Sequence, residues 1–328
     1  MTDYIPPYLF RNRHIQSIIP SLKIRRPLVR LRASGLVKNS QEVTLDAGDG
    51  VRLQGFYSPQ KNGNGNLAIM IHGWEGSSES LYLLSAAGEL YKKGYTIFRL
   101  NMRDHGSSHH LNKELFNSCR LDEIVNAVKT IQQTYAGGGK TFLCGFSLGG
   151  NFSLRVAEKA PASGILLDHV IAVCPVLYPP STLDAIDNGF LLYRKYFVRK
   201  WKKSLKIKKS IFPGDFDFSD KRIYKSLEIM TDYFVENYTK YPDLETYLQG
   251  YAITGDRLKE LKIPSHIITS QDDPVIPFDD IENIAKSDNL KILPVKYGGH
   301  CGFIKDYTFK SWVDDKIVEI FEGSVCEV

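Results

Sequence analysis

The chain has 328 residues, of which 43% are hydrophobic and 24% charged, and its formal net charge is +5. These values fit one large globular domain, with or without an insertion, and exclude a disordered or collagen-like chain. No run of about 18 apolar residues occurs, so no transmembrane helix is expected. Neither the modest charge nor any motif indicates a nucleic-acid partner.

Cysteine usage and the first residues predict the compartment. The five cysteines are odd in number and include no C-x-x-C pair, which argues against a disulfide framework and against a cysteine-based zinc site. The starting sequence MTDYIPPYLF has no uninterrupted apolar core, so a secretory signal is not expected. Together these features predict a cytoplasmic protein.

The first predicted element is a β-hairpin within 41–59, where two alternating segments flank Gly48-Asp49-Gly50. Short apolar runs typical of strands buried on both faces of a parallel sheet follow at 67–71, 95–100, 141–145, 169–175, 265–270 and 291–295. Helical patterns lie at 77–93, 121–135, 149–158 and 309–321. This order predicts an α/β protein with a mostly parallel central sheet flanked by helices.

Residues 178–255 interrupt the alternation of strands and helices. They are rich in Tyr, Phe, Lys and Asp, with helix-like pieces and no convincing strand. Long segments inside a compact domain are usually structured or functional insertions. We therefore expect a single domain over 1–328 in which 178–255 form an inserted helical cap above the carboxyl edge of the sheet.

One pentapeptide in this framework carries chemistry. Residues 145–149 read G-F-S-L-G, directly after the apolar run TFLC and before a helical pattern. In this strand–turn–helix context, G-x-S-x-G raises a serine hydroxyl above the sheet at a sharp, strained turn. Ser147 is therefore the predicted nucleophile, and the backbone N–H of Leu148 is predicted to point toward an oxyanion formed there.

A serine hydroxyl is a weak nucleophile at its free pKa, so it needs a general base to remove its proton. The base in turn needs an acid that orients it. The chain order Ser, acid, His points to His300, in the glycine-rich loop after the run KILPV. The acid should follow the run HIITS, where Asp272 and Asp273 compete. Asp273 occupies the expected place in the D-x-V-x-P pattern and is preferred, which leaves Asp272 a turn or capping role.

The second oxyanion donor should come from the loop after the run LAIMI, which reads H-G-W-E-G-S-S over 72–78. The backbone N–H of Trp74 is the candidate, and the side chains of Trp74 and Glu75 are expected to line the pocket. His72 is interpreted as a loop histidine with satisfied hydrogen bonds. A metal site built from Asp104, His105, His109 and His110 is not expected, because their spacing matches no known ligand set.

The predicted cap contains a strongly basic stretch, with nine Lys or Arg and no acidic residue over 193–209. Tyr193, Phe197 and Trp201 lie at i, i+4 and i+8 and so share one helix face. The preferred interpretation is a cap helix that packs these rings over the active site and exposes its lysines. The alternative is peripheral contact with an anionic membrane surface.

Several motifs together resemble one family. The segments F-R-N-R-H-I-Q-S (10–17), H-G-W-E-G-S-S (72–78), N-M-R-D-H-G (101–106), G-F-S-L-G-G (145–150), D-D-P (272–274) and G-G-H-C-G-F (298–303) are similar to those of the YheT-like, or embryogenesis-associated, branch of the α/β-hydrolases. Two features depart from that branch, the segment NMRDHGSSHHLN and the basic cap. The resemblance implies the α/β-hydrolase fold and an esterase or lipase-like activity on small acyl esters or acylglycerols.

The resulting hypothesis is a serine hydrolase that cleaves carboxylic esters through an acyl-enzyme and needs no cofactor and no metal. The same residues would also serve a thioesterase, a lactonase or an acyltransferase, and fold does not decide among these. A hydrolase-fold protein that binds a ligand with little turnover is the alternative outside catalysis. The sequence leaves the oligomeric state open.

Overall fold

The computed structural model describes residues 4–326 of the chain. Within them lies an eight-stranded sheet, built from β1 (Gln41–Asp46), β2 (Arg52–Ser58), β3 (Leu67–Ile71), β4 (Thr96–Leu100), β5 (Thr141–Phe146), β6 (His169–Val173), β7 (Ser265–Ser270) and β8 (Leu290–Val295). Each predicted apolar run is a strand, and the predicted hairpin is β1 and β2. The predicted α/β class is confirmed.

The strand order is β1-β2-β4-β3-β5-β6-β7-β8. β2 pairs antiparallel with both β1 and β4, whereas the pairs from β4 to β8 are all parallel. Crossover helices cover both faces of a parallel sheet, which explains why every residue of β3, β5 and β6 is buried. The carboxyl ends of β5, β7 and β8 consequently share one edge, where the loops of the candidate site meet.

Four helices occupy the predicted positions, with shifted ends: α4 (Leu81–Lys92), α5 (Leu121–Tyr135), α6 (Leu148–Ser163) and α11 (Trp312–Cys326). Helix α4 begins four residues later than predicted because Ser77 to Ser80 form a turn, with the Ser80 hydroxyl accepting the Ser77 N–H at 3.0 Å. Helix α6 runs past the predicted end and stops at Gly164, which takes the left-handed conformation favoured for a helix C-cap.

The sequence patterns did not predict structure before β1, yet this segment is helical. It holds α1 (Arg13–Ile18), α2 (Arg26–Arg32) and α3 (Ser34–Lys38), with 3₁₀ turns at Tyr8–Arg11, Ile19–Ser21 and Lys23–Arg25. These helices are too short to show a 3.6-residue apolar period. Asn12 caps α1 by accepting the N–H groups of His14 and Ile15.

Between β6 and β7 the chain is helical and contains no strand over 178–255, a range that the structure describes completely. The helices are α7 (Pro179–Asn188), α8 (Leu191–Ile211), α9 (Leu227–Tyr238) and α10 (Leu244–Gln249), with a 3₁₀ helix at Lys221–Lys225. Helix α8 carries the basic stretch. Its aromatic face packs inward, since Trp74 stacks on Phe197 and meets Trp201 edge-on, at centroid distances of 5.5 and 5.3 Å.

Not all lysines of α8 face solvent. Lys208 is buried, and its Nζ contacts Asp104 Oδ1 at 2.7 Å and the carbonyl oxygens of His109, Asn112 and Glu114. This ion pair ties α8 to the loop after β4. The sequence pattern could not single out Lys208, because its partner Asp104 is 104 residues away in the chain.

Cys119, Cys144, Cys174 and Cys301 carry free thiols, and the side chain of Cys326 lies outside the described part of the chain. No described helix combines the length and the hydropathy needed to cross a bilayer.

Candidate active site

Ser147 stands at the turn between β5 and α6. Its backbone has φ 53° and ψ −120°, a strained conformation for a residue with a side chain. Gly145 and Gly149 make the turn possible: a Cβ on Gly145 would lie 2.1 Å from the Gly149 oxygen, and one on Gly149 would lie 2.4 Å from the His72 oxygen. The strand, the helix and the loop after β3 therefore approach more closely than any larger residues would allow.

The structure brings Ser147, His300 and Asp273 together. His300 Nε2 lies 3.0 Å from Ser147 Oγ, and His300 Nδ1 lies 2.9 Å from Asp273 Oδ2. Both distances are within hydrogen-bond range. The three residues come from the ends of β5, β7 and β8, as their order in the chain predicts.

Asp273 and Asp272 have different environments. Asp273 uses its second oxygen, Oδ1, to accept the N–H groups of Val275 and Ile276 at 2.8 and 3.0 Å. These bonds fix the carboxylate that faces the imidazole. Asp272 instead accepts the Gly299 N–H at 2.9 Å, so it braces the loop that carries His300. Burial raises the pKa of Asp272.

The imidazole of His300 is set by its neighbours. Burial lowers its pKa, but the negative charge of Asp273, the neighbouring Cys301 and the hydrogen bonds to both residues outweigh burial, so the pKa lies well above its ordinary value. With Nδ1 bonded to the carboxylate, Nε2 is the nitrogen that faces Ser147. This arrangement can take a proton from a serine hydroxyl and hold it.

The two candidate oxyanion donors border Ser147. Leu148 is the first residue of α6, so its N–H has no acceptor within the helix. The loop that carries Trp74 passes beside the serine, because a Cβ built on Gly73 would lie 3.1 Å from Ser147 Cβ. Tyr82 holds this loop by accepting the Gly73 N–H on its hydroxyl at 2.9 Å.

Ser147 opens into a cleft with a cavity volume of about 100 Å³. Its walls are mostly apolar and come from the loops after β3, β5, β6 and β7 and from α7 to α10. They include Trp74, Leu148, Val176, Pro179, Leu183, Ile186, Phe197, Trp201, Leu227, Phe234, Leu248, Val275 and Ile276. A cleft with apolar walls can bury the hydrocarbon part of a small ligand.

The other histidines near the cleft have local partners. His72 donates from Nδ1 to the Gly73 oxygen and accepts the Met102 N–H on Nε2, and burial lowers its pKa to about 4. His105 donates to the Arg103 oxygen and accepts the Glu75 N–H. His109 Nε2 lies 2.8 Å from the Ser204 hydroxyl. These rings therefore shape loops.

One group of possible metal ligands occurs among residues 4–326, formed by Cys174, His300 and Cys301, whose ligand atoms lie within 4.8 Å of one another. His300 already hydrogen-bonds through both ring nitrogens, to Ser147 and Asp273. The imidazole therefore has no nitrogen left for a metal ion while these contacts are made. The donor set does not fit a resident metal.

Comparison with known proteins places this geometry in a family. Residues 67–307 match the family model described as the alpha/beta hydrolase fold. The chain belongs to the α/β-hydrolase fold family. The matched range contains Ser147, Asp273 and His300.

Full-length relatives of this α/β-hydrolase agree with the resemblance seen in the sequence. This chain is 23% identical over 325 residues to the Escherichia coli (strain K12) protein named "Putative esterase YheT". The alignment covers 96% of this chain and 92% of that protein. It is 24% identical over 325 residues to an abhydrolase domain-containing protein of Dictyostelium discoideum, covering 96% and 80%. The YheT-like assignment is confirmed.

Solved structures share the fold at low sequence identity. The esterase Pf2001 of Pyrococcus furiosus superposes with a TM-score of 0.58 at 16% identity, covering 87% of this chain and 92% of that one. Est1E of Butyrivibrio proteoclasticus, with ferulic acid bound, gives 0.57 at 17% identity, covering 87% and 100%.

Sequence reasoning missed the residues of this α/β-hydrolase that hold the His300 loop from the N-terminal side. Ser17 accepts the His300 N–H on its hydroxyl at 2.8 Å. Gln16, fully buried, accepts the Ile304 N–H at 2.7 Å and donates to the Phe10 oxygen at 2.6 Å. Both belong to the segment F-R-N-R-H-I-Q-S, which the family resemblance singled out. The sequence did not show that this segment contacts the His300 loop. The segment lies outside the matched range 67–307.

Proposed function

We propose that this protein is a serine hydrolase that cleaves carboxylic esters through an acyl-enzyme. The observation that carries the proposal is the chain of two hydrogen bonds from Ser147 through His300 to Asp273, at 3.0 and 2.9 Å, at the mouth of an apolar cleft. The esterase names of YheT, Pf2001 and Est1E support the same class of reaction.

The proposed reaction has two halves. In the first, Ser147 Oγ attacks the ester carbonyl while His300 Nε2 takes its proton, and the N–H groups of Trp74 and Leu148 stabilise the oxyanion. The imidazolium then protonates the departing alkoxide, which leaves as the alcohol. In the second, His300 removes a proton from water and the hydroxide attacks the acyl carbonyl. The bond to Ser147 Oγ then breaks, the imidazolium returns its proton to that oxygen, and the acid leaves. Asp273 stabilises the imidazolium in both halves.

The apolar lining of the cleft supports esters with a small or medium acyl chain as substrates, including acylglycerol-like ones. Burial of apolar area contributes about 25 cal/mol per Å², so successive methylenes should improve binding until the cleft is full. Turnover over p-nitrophenyl esters of increasing chain length would measure this depth. The same series with thioesters and lactones would reveal whether oxygen esters are preferred.

The nucleophile is tested with a fluorophosphonate probe, which labels an activated serine. We expect labelling of the wild type and none of Ser147→Ala. Ser153→Ala is the matched control, because it removes a buried hydroxyl from α6, the helix that follows Ser147, and this hydroxyl donates to the Gly149 oxygen. Equal labelling of Ser147→Ala and wild type would overturn the assignment, as would loss of labelling in both variants.

A further inference from the structure

Four aromatic rings form one side of the cleft. Trp74, in the loop after β3, stacks on Phe197 of α8 at a centroid distance of 5.5 Å. Trp201, one helical turn after Phe197, meets Trp74 edge-on at 5.3 Å and meets Phe234 of α9 edge-on at 5.8 Å. All four rings line the cleft. They form a continuous surface from the loop beside the candidate nucleophile to α9, which we call the aromatic wall.

The space behind the aromatic wall does not extend the cleft. Trp201 and Phe234 also border a separate void of about 20 Å³, which has room for about one water molecule. The far side of this void is polar and includes Glu75 and the buried ion pair between Asp104 and Lys208, whose charged atoms lie 2.7 Å apart. A hydrocarbon chain would have to separate these partners without replacing their hydrogen bonds, which is costly. The cleft therefore ends at the wall.

The polar side chains that line the cleft away from the nucleophile are already hydrogen-bonded. Thr182 and Thr231 each donate to the carbonyl oxygen four residues earlier, at 3.2 and 2.7 Å. The Tyr247 hydroxyl accepts the Ser118 N–H at 3.0 Å, and the Tyr251 hydroxyl hydrogen-bonds to the Ser118 side chain. A polar substituent on a ligand would lose its bonds to water and compete for groups that are already paired. These walls therefore favour a hydrocarbon chain.

The volume of the cleft limits how much of a chain it holds. The cavity is about 100 Å³, whereas an apolar cavity of about 150 Å³ holds a benzene molecule, with its ring of six carbons. In proportion, the cleft holds about four carbons. The acyl group stays bonded to the serine through both halves of the proposed reaction, whereas the alcohol leaves after the first half. The enclosed, apolar cleft therefore suits the acyl chain.

We propose that the aromatic wall ends the acyl site, that Trp201 is the specificity-determining residue that sets its depth, and that the substrates are esters of short hydrocarbon acids of about four carbons. The inference rests on the proposed ester hydrolysis. Trp201 has this role because its ring contacts Trp74 and also separates the cleft from the void behind the wall. A smaller side chain at this position would lengthen the cleft.

The test measures kcat/KM for p-nitrophenyl esters from acetate to decanoate. We expect the wild type to be fastest near butyrate and to lose activity on chains longer than hexanoate. Trp201→Leu should raise activity on octanoate relative to butyrate by at least about tenfold, because each newly buried methylene contributes about fourfold. Trp201→Phe should shift the profile in the same direction by less. Turnover of acetate, which is too short to reach the wall, shows that each variant keeps a folded active site.

Phe216→Leu is the matched control, because it also shrinks a ring of the cap, one that packs on Phe218 and Tyr238. Its chain-length profile should match the wild type, and Ser147→Ala should abolish turnover of every ester. If Ser147-dependent hydrolysis occurs but Trp201→Leu leaves the profile unchanged, or the wild type is fastest on decanoate, the Trp201 proposal fails and the hydrolase stands. If the wild type hydrolyses none of the esters, the hydrolase fails and takes the Trp201 proposal with it. A Trp201→Leu shift along alkyl acetates of increasing alcohol length, with an unchanged acyl profile, would assign the cleft to the alcohol and overturn the acyl site.

Discussion

His300 lies between Ser147 and Asp273, and its proton affinity sets the pH dependence of the proposed reaction. The imidazole acts as a base only when neutral. Because Asp273 and Cys301 together keep the pKa of His300 well above the ordinary value despite burial, we expect kcat/KM to fall as the pH drops, with a midpoint above about 6.5, the usual histidine pKa. A pH profile of ester hydrolysis measures the midpoint. A midpoint at or below that value would contradict the assignment of His300.

The adjacent carboxylates of Asp272 and Asp273 allow a test of which residue is the acid that orients His300. Asp273→Asn removes the charge that raises the pKa of His300 and should cost about 10⁴-fold in kcat, as the equivalent change does in other serine triads. It should also move the remaining activity to lower pH. Asp272→Asn keeps an acceptor for the Gly299 N–H and should cost less than about tenfold, since the lost charge is not on the imidazole. If Asp272→Asn were the more damaging change, the acid would be Asp272.

At the scale of elements, the packing of α6 against the loop after β3 depends on Gly149. Gly149→Ala would place a methyl group 2.4 Å from the His72 oxygen, an overlap that costs about 1–3 kcal/mol. Gly323→Ala is the matched control, since it also lies in a helix and its methyl would meet nothing within 4 Å. There, alanine should stabilise by about 0.5–1 kcal/mol. The melting temperature should fall for Gly149→Ala and rise for Gly323→Ala. A shift in the same direction for both variants would argue against the close approach of Gly149 to the His72 oxygen.

The N-terminal helices form a second element on which the site depends. Gln16 bonds to Phe10 and to both backbone groups of Ile304, four residues beyond His300. Gln16→Leu keeps the volume but leaves the Phe10 oxygen and the Ile304 N–H unpaired, which costs about 1–3 kcal/mol, whereas the Ile304 oxygen still accepts the Tyr4 hydroxyl. We expect a lower melting temperature and a lower kcat. Gln249→Leu, at an exposed position, should change neither. Unchanged kcat in a destabilised Gln16→Leu would show that the segment supports the fold without positioning His300.

The sequence was informative where structure is local. The alternating segments predicted β1 and β2, and the apolar runs predicted the other strands, since burial on both faces of β3, β5 and β6 leaves a continuous signature. The G-x-S-x-G turn located Ser147. Contacts between distant parts of the chain were not predictable in this way. Gln16 meets Ile304 across 288 positions, and Lys208 meets Asp104 across 104, and nothing in either local sequence specifies the partner.

At the scale of the whole molecule, helix α8 presents a cluster of positive charge on its outer face. Lys195, Arg199, Lys203 and Lys206 are exposed, lie three or four residues apart on α8, and form no salt bridge with another described residue. Exposed Leu192 and Tyr196 lie beside them. Cations next to apolar groups on one helix face are typical of helices that bind the surface of an anionic membrane.

We propose that this face of α8 contacts anionic lipid, which would bring the neighbouring cleft close to a lipid substrate. Each Lys or Arg near such a surface contributes about 1 kcal/mol, so changing Lys195, Arg199, Lys203 and Lys206 together to Glu should abolish co-sedimentation with vesicles containing phosphatidylserine. Changing exposed Lys38, Lys61, Lys259 and Lys262 to Glu alters the net charge equally and should have a smaller effect. Binding should weaken as salt rises. Equal binding to pure phosphatidylcholine vesicles, or equal loss in both variants, would refute a specific lipid face and leave α8 as a solvated cap helix.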